Sequence, residues 1–136
     1  MLFQEEMLPK VALPLMNETH IEEIELVNGI YDLLTTTQNF DHALLLEKLD
    51  EFLVHVEHHF LSENNLMQDF NFPALHCHKA EHERVLNILK FVVDRYISNH
   101  DEQELKDFFE HDFRPWIENH IQTMDFVTAN YLQQLI

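Results

Sequence analysis

Histidine and carboxylate side chains recur in this 136-residue sequence at spacings that suit metal binding. His59 precedes Glu63 by four residues, and His78 precedes His82 by four residues. In an α-helix, side chains at i and i+4 project from the same side, so each pair can present two ligands to one point. The chemistry available to these residues is coordination of a cation by imidazole nitrogens and carboxylate oxygens.

Three further residues extend the set, namely His20, His120 and Asp125. Asp125 lies five residues after His120, a spacing that turns it well away from His120 in a regular α-helix. We therefore expect this pair to chelate a single metal poorly, and Asp125 to reach a second metal or to bridge two. The candidate ligands are His20, His59, Glu63, His78, His82, His120 and Asp125.

The helical pattern places five of the eleven histidines on apolar faces. One such histidine is more often a hydrogen-bonded core residue than a ligand. Burying five without strong partners would cost about 1–3 kcal/mol each, and a domain has only about 5–15 kcal/mol of stability. Metal coordination is the better explanation. The histidines predicted to face outward are His42, His55, His58, His76, His100 and His111.

Seven candidate ligands exceed the four that one zinc ion takes. They suit two octahedral ions with open positions, and mixed imidazole and carboxylate ligands favour iron or manganese. A bundle that binds zinc, or uses metal only to fold, is the alternative.

Composition indicates which elements carry these residues. One glycine and four prolines are fewer turn residues than a sheet-rich domain normally uses. Four stretches show the helical period, and short connections make sequential helices antiparallel. We predict an all-α single domain over 1–136, an antiparallel up-down four-helix bundle with an extended N-terminal arm. The arm is predicted at 1–16 and the helices at 17–34, 41–66, 73–97 and 101–132.

Two prolines mark features of the later helices. Pro73 is predicted to begin the third helix, where its missing N–H costs least. Pro115 lies within the fourth helix and is predicted to kink it near His111. The predicted inner face of that helix comprises Phe109, Phe113, Trp116, Ile117, His120, Met124, Val127 and Tyr131.

The chain has 8 basic and 25 acidic residues, a formal net charge of −17. Nucleic acids and anionic membranes attract basic patches, so neither is expected as a partner, and self-repulsion favours a monomer. The sequence shows neither a membrane span nor a signal peptide. The single cysteine, Cys77, permits no intrachain disulfide, which fits a reducing, cytoplasmic setting. Cys77 is predicted to be a structural thiol that points away from the face of His78.

The combined pattern resembles that of the hemerythrins, in particular the single-domain bacterial ones (bacteriohemerythrins). It consists of His20, His59-x-x-x-Glu63, His78-x-x-x-His82 and His120-x-x-x-x-Asp125. The stretches HHFLSENNLM, FPALHCHKAEH and WIENHIQTMD resemble the signatures of the second, third and fourth helices of that family. The resemblance covers roughly residues 15–132.

This resemblance implies a non-haem di-iron centre, with two iron ions (Fe2+/Fe3+) joined by an oxo or hydroxo bridge. One iron takes His78, His82 and His120; the other takes His20 and His59; Glu63 and Asp125 bridge the two. The second iron keeps an open position for dioxygen. The resemblance also implies that Phe60, Trp116 and Ile117 line the dioxygen pocket, with ordinary core packing as their alternative role.

The implied function is reversible dioxygen binding for storage, delivery or sensing, by a protein that is not an enzyme. The alternative is a di-iron enzyme at the same site: a peroxidase, an iron oxidase or a nitric oxide scavenger. Ferritin-like di-iron enzymes use Glu-x-x-His pairs. No such pair lies on an inward face of this sequence, which favours reversible binding.

Several residues depart from the family pattern. Asn17-Glu18-Thr19-His20 stands where the family often has Asp-x-Gln-His, so a hydrogen-bond partner of His20 is expected to be missing or replaced. Asn64 follows Glu63 where a second acid is common, and Ile117 replaces the usual leucine. These departures, like Pro115, concern oxygen affinity and autoxidation more than the identity of the ligands.

Overall fold

The structure is a computed structural model that describes residues 1–36 and 41–136. Within those ranges it is all-helical, without a β-strand, and its packing confirms the predicted antiparallel four-helix bundle. The helices are α1 (Pro14–Thr36), α2 (His42–Asp69), α3 (Leu75–Asn99) and α4, which covers 102–133 in five consecutive segments. None of the helices described is both long and apolar enough to cross a membrane. Residues 37–40, which belong to the connection predicted between the first and second helices, lie outside the described residues.

Two helix starts differ from the prediction. α1 begins at Pro14, so the arm is 1–13 and not 1–16; a proline at the first helical position loses no hydrogen bond. α3 begins at Leu75, so Pro73 lies in the turn before it. The reason is the end of α2, where Asn71 has a left-handed φ of 53° and the Phe72 N–H donates to the Met67 carbonyl at 2.8 Å. α2 therefore continues to Asp69, beyond its predicted end at 66, and this Schellman-type closure ends it there.

The N-terminal arm packs on the bundle and contains one 3-10 turn, Glu5–Met7. Its apolar residues Leu2 and Phe3 are buried in the core. The side chain of Asn28 in α1 fastens them: its Oδ1 accepts from the N–H groups of Leu2 and Phe3 at 3.0 and 2.7 Å. The Asn28 amide also donates to the Phe3 carbonyl at 2.9 Å. The arm is therefore part of the folded domain.

α4 contains two π turns, at Phe109–Phe113 and Ile121–Asp125. In each, a backbone N–H bonds to the carbonyl five residues earlier, so the turn holds one residue more than an α-helical turn. The first π turn ends just before Pro115, which is the second residue of the next α-helical segment. Helical structure continues on both sides of Pro115 because its missing N–H falls in the first turn of that segment.

The second π turn changes the inner face of α4. Beyond His120 the prediction is wrong by one position: Val127 is 56% exposed, whereas its neighbour Thr128 is fully buried. Asp125 and Leu132 are buried in the same way, in place of the predicted Met124 and Tyr131. Because the π turn holds one extra residue, each inward-facing position after it falls one residue later in the sequence than a regular α-helix predicts.

Candidate metal centre

All seven candidate ligands are buried and lie together among the four helices. They form two overlapping clusters, and within each cluster one ligand atom per residue lies within 4.8 Å of all the others. The three-histidine cluster comprises Glu63, His78, His82, His120 and Asp125. The two-histidine cluster comprises His20, His59, Glu63 and Asp125.

Glu63 belongs to both clusters and divides its oxygens between them. Its Oε1 lies 3.2 Å from Nε2 of His82, and its Oε2 lies 2.7 Å from Nε2 of His59. The second contact is the i, i+4 pair of α2 that the sequence predicts. One carboxylate thus faces both groups of imidazoles.

Asp125 divides its oxygens in the same way. Its Oδ1 lies 3.1 Å from Nε2 of His78 and 3.2 Å from Nε2 of His120. Its Oδ2 lies 3.0 Å from Nε2 of His20. The expected poor geometry of Asp125 for chelation with His120 is not what the structure has, because the π turn Ile121–Asp125 brings i and i+5 to one face.

Hydrogen bonds on the outer nitrogen orient three of the imidazoles. The pairs are His59 Nδ1 with Glu23 Oε1 at 3.0 Å, His82 Nδ1 with Asn64 Oδ1 at 2.8 Å, and His78 Nδ1 with Thr128 Oγ1 at 2.8 Å. The Glu23 carboxylate and the Asn64 carbonyl accept, so the proton of each ring lies on Nδ1. The inner Nε2 atoms face the clusters, where each can offer a metal its lone pair once it carries no proton.

Sequence reasoning missed two of these partners. Glu23 lies three residues after His20 on the inner face of α1, and an acid at that position was a signal for a role in the centre. Thr128 had no such signal, because only the π turn of α4 brings it inward. Asn64 departs from the family pattern, and its side-chain carbonyl accepts from Nδ1 of His82.

His20 differs from these imidazoles, since its Nδ1 has no hydrogen-bond partner among the described residues. The Thr19 hydroxyl donates to the Leu15 carbonyl at 3.0 Å and does not serve His20. The missing partner agrees with the expectation from Thr19.

Both shared carboxylates are ionised. Burial raises the pKa of Asp125, but the nearby imidazoles of His120, His20 and His78 hold it well below its ordinary value. Burial and the charge of Asp125 raise the pKa of Glu63, yet His59 and His82 bring it below its usual range. Burial lowers the pKa of His82, which favours the neutral, metal-binding form of that imidazole. Two buried negative charges favour a cation beside them.

Several buried atoms of the clusters lack a hydrogen bond from any described residue. They are Nε2 of His20, Nε2 of His82, Oε1 of Glu63, and Oδ1 and Oδ2 of Asp125. Buried polar atoms are normally paired, and coordination of cations explains five unpaired atoms in one place. The mixed imidazole and carboxylate donors fit iron or manganese.

Aromatic rings cover one side of the centre. The ring of Phe60 stacks on the imidazole of His82, with centroids 4.1 Å apart, and Trp116 stacks on His120 at 4.7 Å. The two aromatic side chains are 6.3 Å apart. Ile117, on the same segment of α4 as Trp116, is buried.

Two residues outside the clusters clarify their limits. His55, predicted to face outward, is half-buried, because its Nδ1 lies 3.6 Å from Oε1 of Glu23 on α1. Cys77 is free and exposed, so it lies outside the centre, in agreement with its predicted direction.

Comparison with known proteins agrees with this geometry. The family described as Hemerythrin HHE cation binding domain matches residues 11–132. A bacteriohemerythrin of Aquifex aeolicus is 35% identical over 132 residues, which cover 97% of this chain and 98% of that protein. A bacteriohemerythrin of Ralstonia nicotianae is 31% identical over 75% of this chain and 73% of its own length. One of Methylococcus capsulatus is 25% identical over 80% and 79%. No solved structure matches significantly. The chain belongs to the hemerythrin family.

Proposed function

We propose that the two clusters hold two iron ions and that this centre binds dioxygen reversibly, for storage, delivery or sensing. The observation that carries the proposal is the division of Glu63 and Asp125 between two groups of imidazoles in a member of this family. The proposed ligands are His78, His82 and His120 for one iron, His20 and His59 for the other, and Glu63 and Asp125 for both.

The two clusters differ in the number of donors, which supports one open position. The three-histidine cluster has five contributing residues, and the two-histidine cluster has four. If two iron ions with an oxo or hydroxo bridge were bound, the two-histidine cluster would supply one protein ligand fewer and could leave a position open to dioxygen. Two ferrous ions supply the two electrons that reversible dioxygen binding requires.

The residues around the centre support binding over turnover. The ring of Phe60 stacks on His82, and its centroid lies 5.2 Å from that of the His59 ring, so Phe60 borders both clusters. We propose that Phe60, Trp116 and Ile117 line an apolar dioxygen pocket, which would exclude water and the protons that drive irreversible oxidation. The ionised carboxylates balance part of the charge of the cations.

A spectroscopic experiment tests the proposal. The protein is loaded with Fe2+ without oxygen, its iron content is measured, and air is then admitted. We expect two iron ions per chain, and near-ultraviolet and visible bands that form with dioxygen and vanish on its removal. Irreversible oxidation with turnover of peroxide would support the enzyme alternative. A protein that retains zinc but no iron would contradict both the dioxygen-binding proposal and the enzyme alternative.

A matched pair of variants ties the bands to the centre. His82→Gln removes a buried ligand and is expected to abolish them. His76→Gln makes the same change at an exposed position of α3 and is expected to leave them intact.

A further inference from the structure

Buried ligands need a route by which a hydrated cation reaches them, because an apolar core excludes ions. We propose that a cavity between α1 and α2 is the entry site for divalent metal ions, and that its carboxylate and imidazole donors lead the ion from solvent to Glu63. The inference rests on the proposed function, since it assumes that the two clusters bind metal.

The cavity has a volume of about 220 Å³ and joins the surface to the centre. Its polar lining includes Thr19, Glu22, His55, His58, His59 and Glu63. His59 and Glu63 are candidate ligands, and Glu63 is buried with an Oε1 atom that no described residue hydrogen-bonds. Glu22 and His58 are exposed. The cavity therefore has solvent-facing donors and reaches two ligands of the centre.

The donors form a graded series from surface to interior. Oε2 of Glu22 lies 3.3 Å from Nε2 of His55, and Oε2 of Glu63 at the inner end lies 2.7 Å from Nε2 of His59. The side chains of Glu22, His55 and Glu63 are 65%, 19% and 5% exposed. A series of this kind lets an ion exchange water for protein donors one at a time.

His55 is the donor that the rest of the fold leaves available. Its Nδ1 is buried and has no hydrogen-bond partner among the described residues. Carboxylate and imidazole together bind divalent first-row metals well enough to replace water. The net charge of −17 also attracts cations to the surface, and Glu22 concentrates that attraction at the mouth of the cavity.

Other cavities that touch the centre or its aromatic side suit a cation less well. A cavity of about 220 Å³ touches His20 and has Glu5 and Glu6 in its lining, but Lys10 lies there too and repels cations. A cavity of about 530 Å³ between α3 and α4 reaches Trp116 but includes Arg84, whose positive charge repels cations.

The test measures the rate of metal uptake separately from its end point. Co2+ is mixed with metal-free protein, and the growth of its visible ligand-field bands reports binding without a redox step. For the double variant Glu22→Gln and His58→Gln we expect an initial rate about tenfold lower, with less dependence on salt, because electrostatic steering is reduced. Its final metal content is expected to equal that of the parent.

Two further variants decide between routes. The double variant Glu25→Gln and His111→Gln removes the same side-chain types at exposed positions and should load at the parental rate. Glu5→Gln with Glu6→Gln tests the cavity beside His20. Equal rates for parent and Glu22 variant, or slowing only in the Glu5 variant, would overturn the entry site. A parent that binds fewer than two ions per chain would instead contradict the proposed function.

Discussion

Nε2 of His120 and Oδ1 of Asp125 lie 3.2 Å apart, although the two residues are five positions apart in α4. In a regular α-helix, side chains at i and i+5 point about 140° apart. The π turn Ile121–Asp125 removes that difference. The shared carboxylate of α4 thus depends on one irregular turn.

Changing the length of this turn tests its role. Deletion of Gln122, an exposed residue, leaves Asp125 four positions after His120, a spacing that an ordinary α-helical turn accommodates. We expect the deletion variant to keep its metal. Insertion of an alanine after Gln122 rotates Asp125 away and should abolish most metal binding. The measurement is metal content after dialysis, with far-ultraviolet circular dichroism to establish that both variants are helical. Full metal retention by the insertion variant would contradict this role.

The hydrogen bond from Nδ1 of His82 to the side-chain carbonyl of Asn64 is expected to tune metal affinity. Asn64→Ala removes the acceptor from Nδ1 of His82, and loss of such a partner typically weakens binding about 10–100-fold. Asn64→Asp restores an acceptor and adds a charge, so its affinity should equal or exceed that of the parent. Competition with a chelator measures these affinities. Asn65→Ala, at the exposed neighbouring position, serves as the control and should change nothing. Equal affinity for Asn64→Ala and parent would remove Asn64 from the centre.

Metal loading is expected to release a proton from His59. Burial disfavours the charged imidazole, but Glu23 and Glu63 outweigh it and raise the pKa of His59 well above its ordinary value. His59 is therefore protonated in the metal-free protein at neutral pH and must lose that proton to bind metal. Affinity should consequently rise with pH through neutrality.

The matching variant is Glu23→Gln. Burial opposes ionisation of Glu23, yet the charge and hydrogen bond of His59 and the nearby imidazole of His55 lower the pKa of Glu23 to about 2. Without this carboxylate the pKa of His59 falls, so fewer protons should leave per metal at neutral pH. An indicator dye in weakly buffered solution counts them, with the exposed Glu25→Gln as control. If Glu23→Gln and Glu25→Gln released the same number of protons, the assignment of the released proton to His59 would be contradicted.

Asn28 is expected to contribute to stability through the N-terminal arm. Asn28→Ala deprives the backbone of Leu2 and Phe3 of three hydrogen bonds. Because each partly buried bond contributes about 0.5–1.5 kcal/mol, we expect the free energy of unfolding in urea to fall by about 2 kcal/mol. The control is Asn130→Ala at an exposed position of α4. An arm that only rests on the bundle would make the two variants equally stable.

Much of the centre could be predicted from local pattern. A histidine or carboxylate on an apolar helical face is visible in the sequence, since periodicity alone defines that face. His59 with Glu63 and His78 with His82 are therefore evident from spacing. The family resemblance supplied the division of the ligands between two ions, and the structure places the residues in the same two groups.

The sequence by itself determined the helices, the ligand types and the acidic surface, because composition and helical period depend on near neighbours. The tertiary structure decided the phase of α4 after His120, since α-helical and π turns differ little locally and packing selects between them. It also brought Glu23 to His59 and Thr128 to His78, across 36 and 50 residues. Such pairings arise only when separate helices pack together, so no spacing within one helix reveals them.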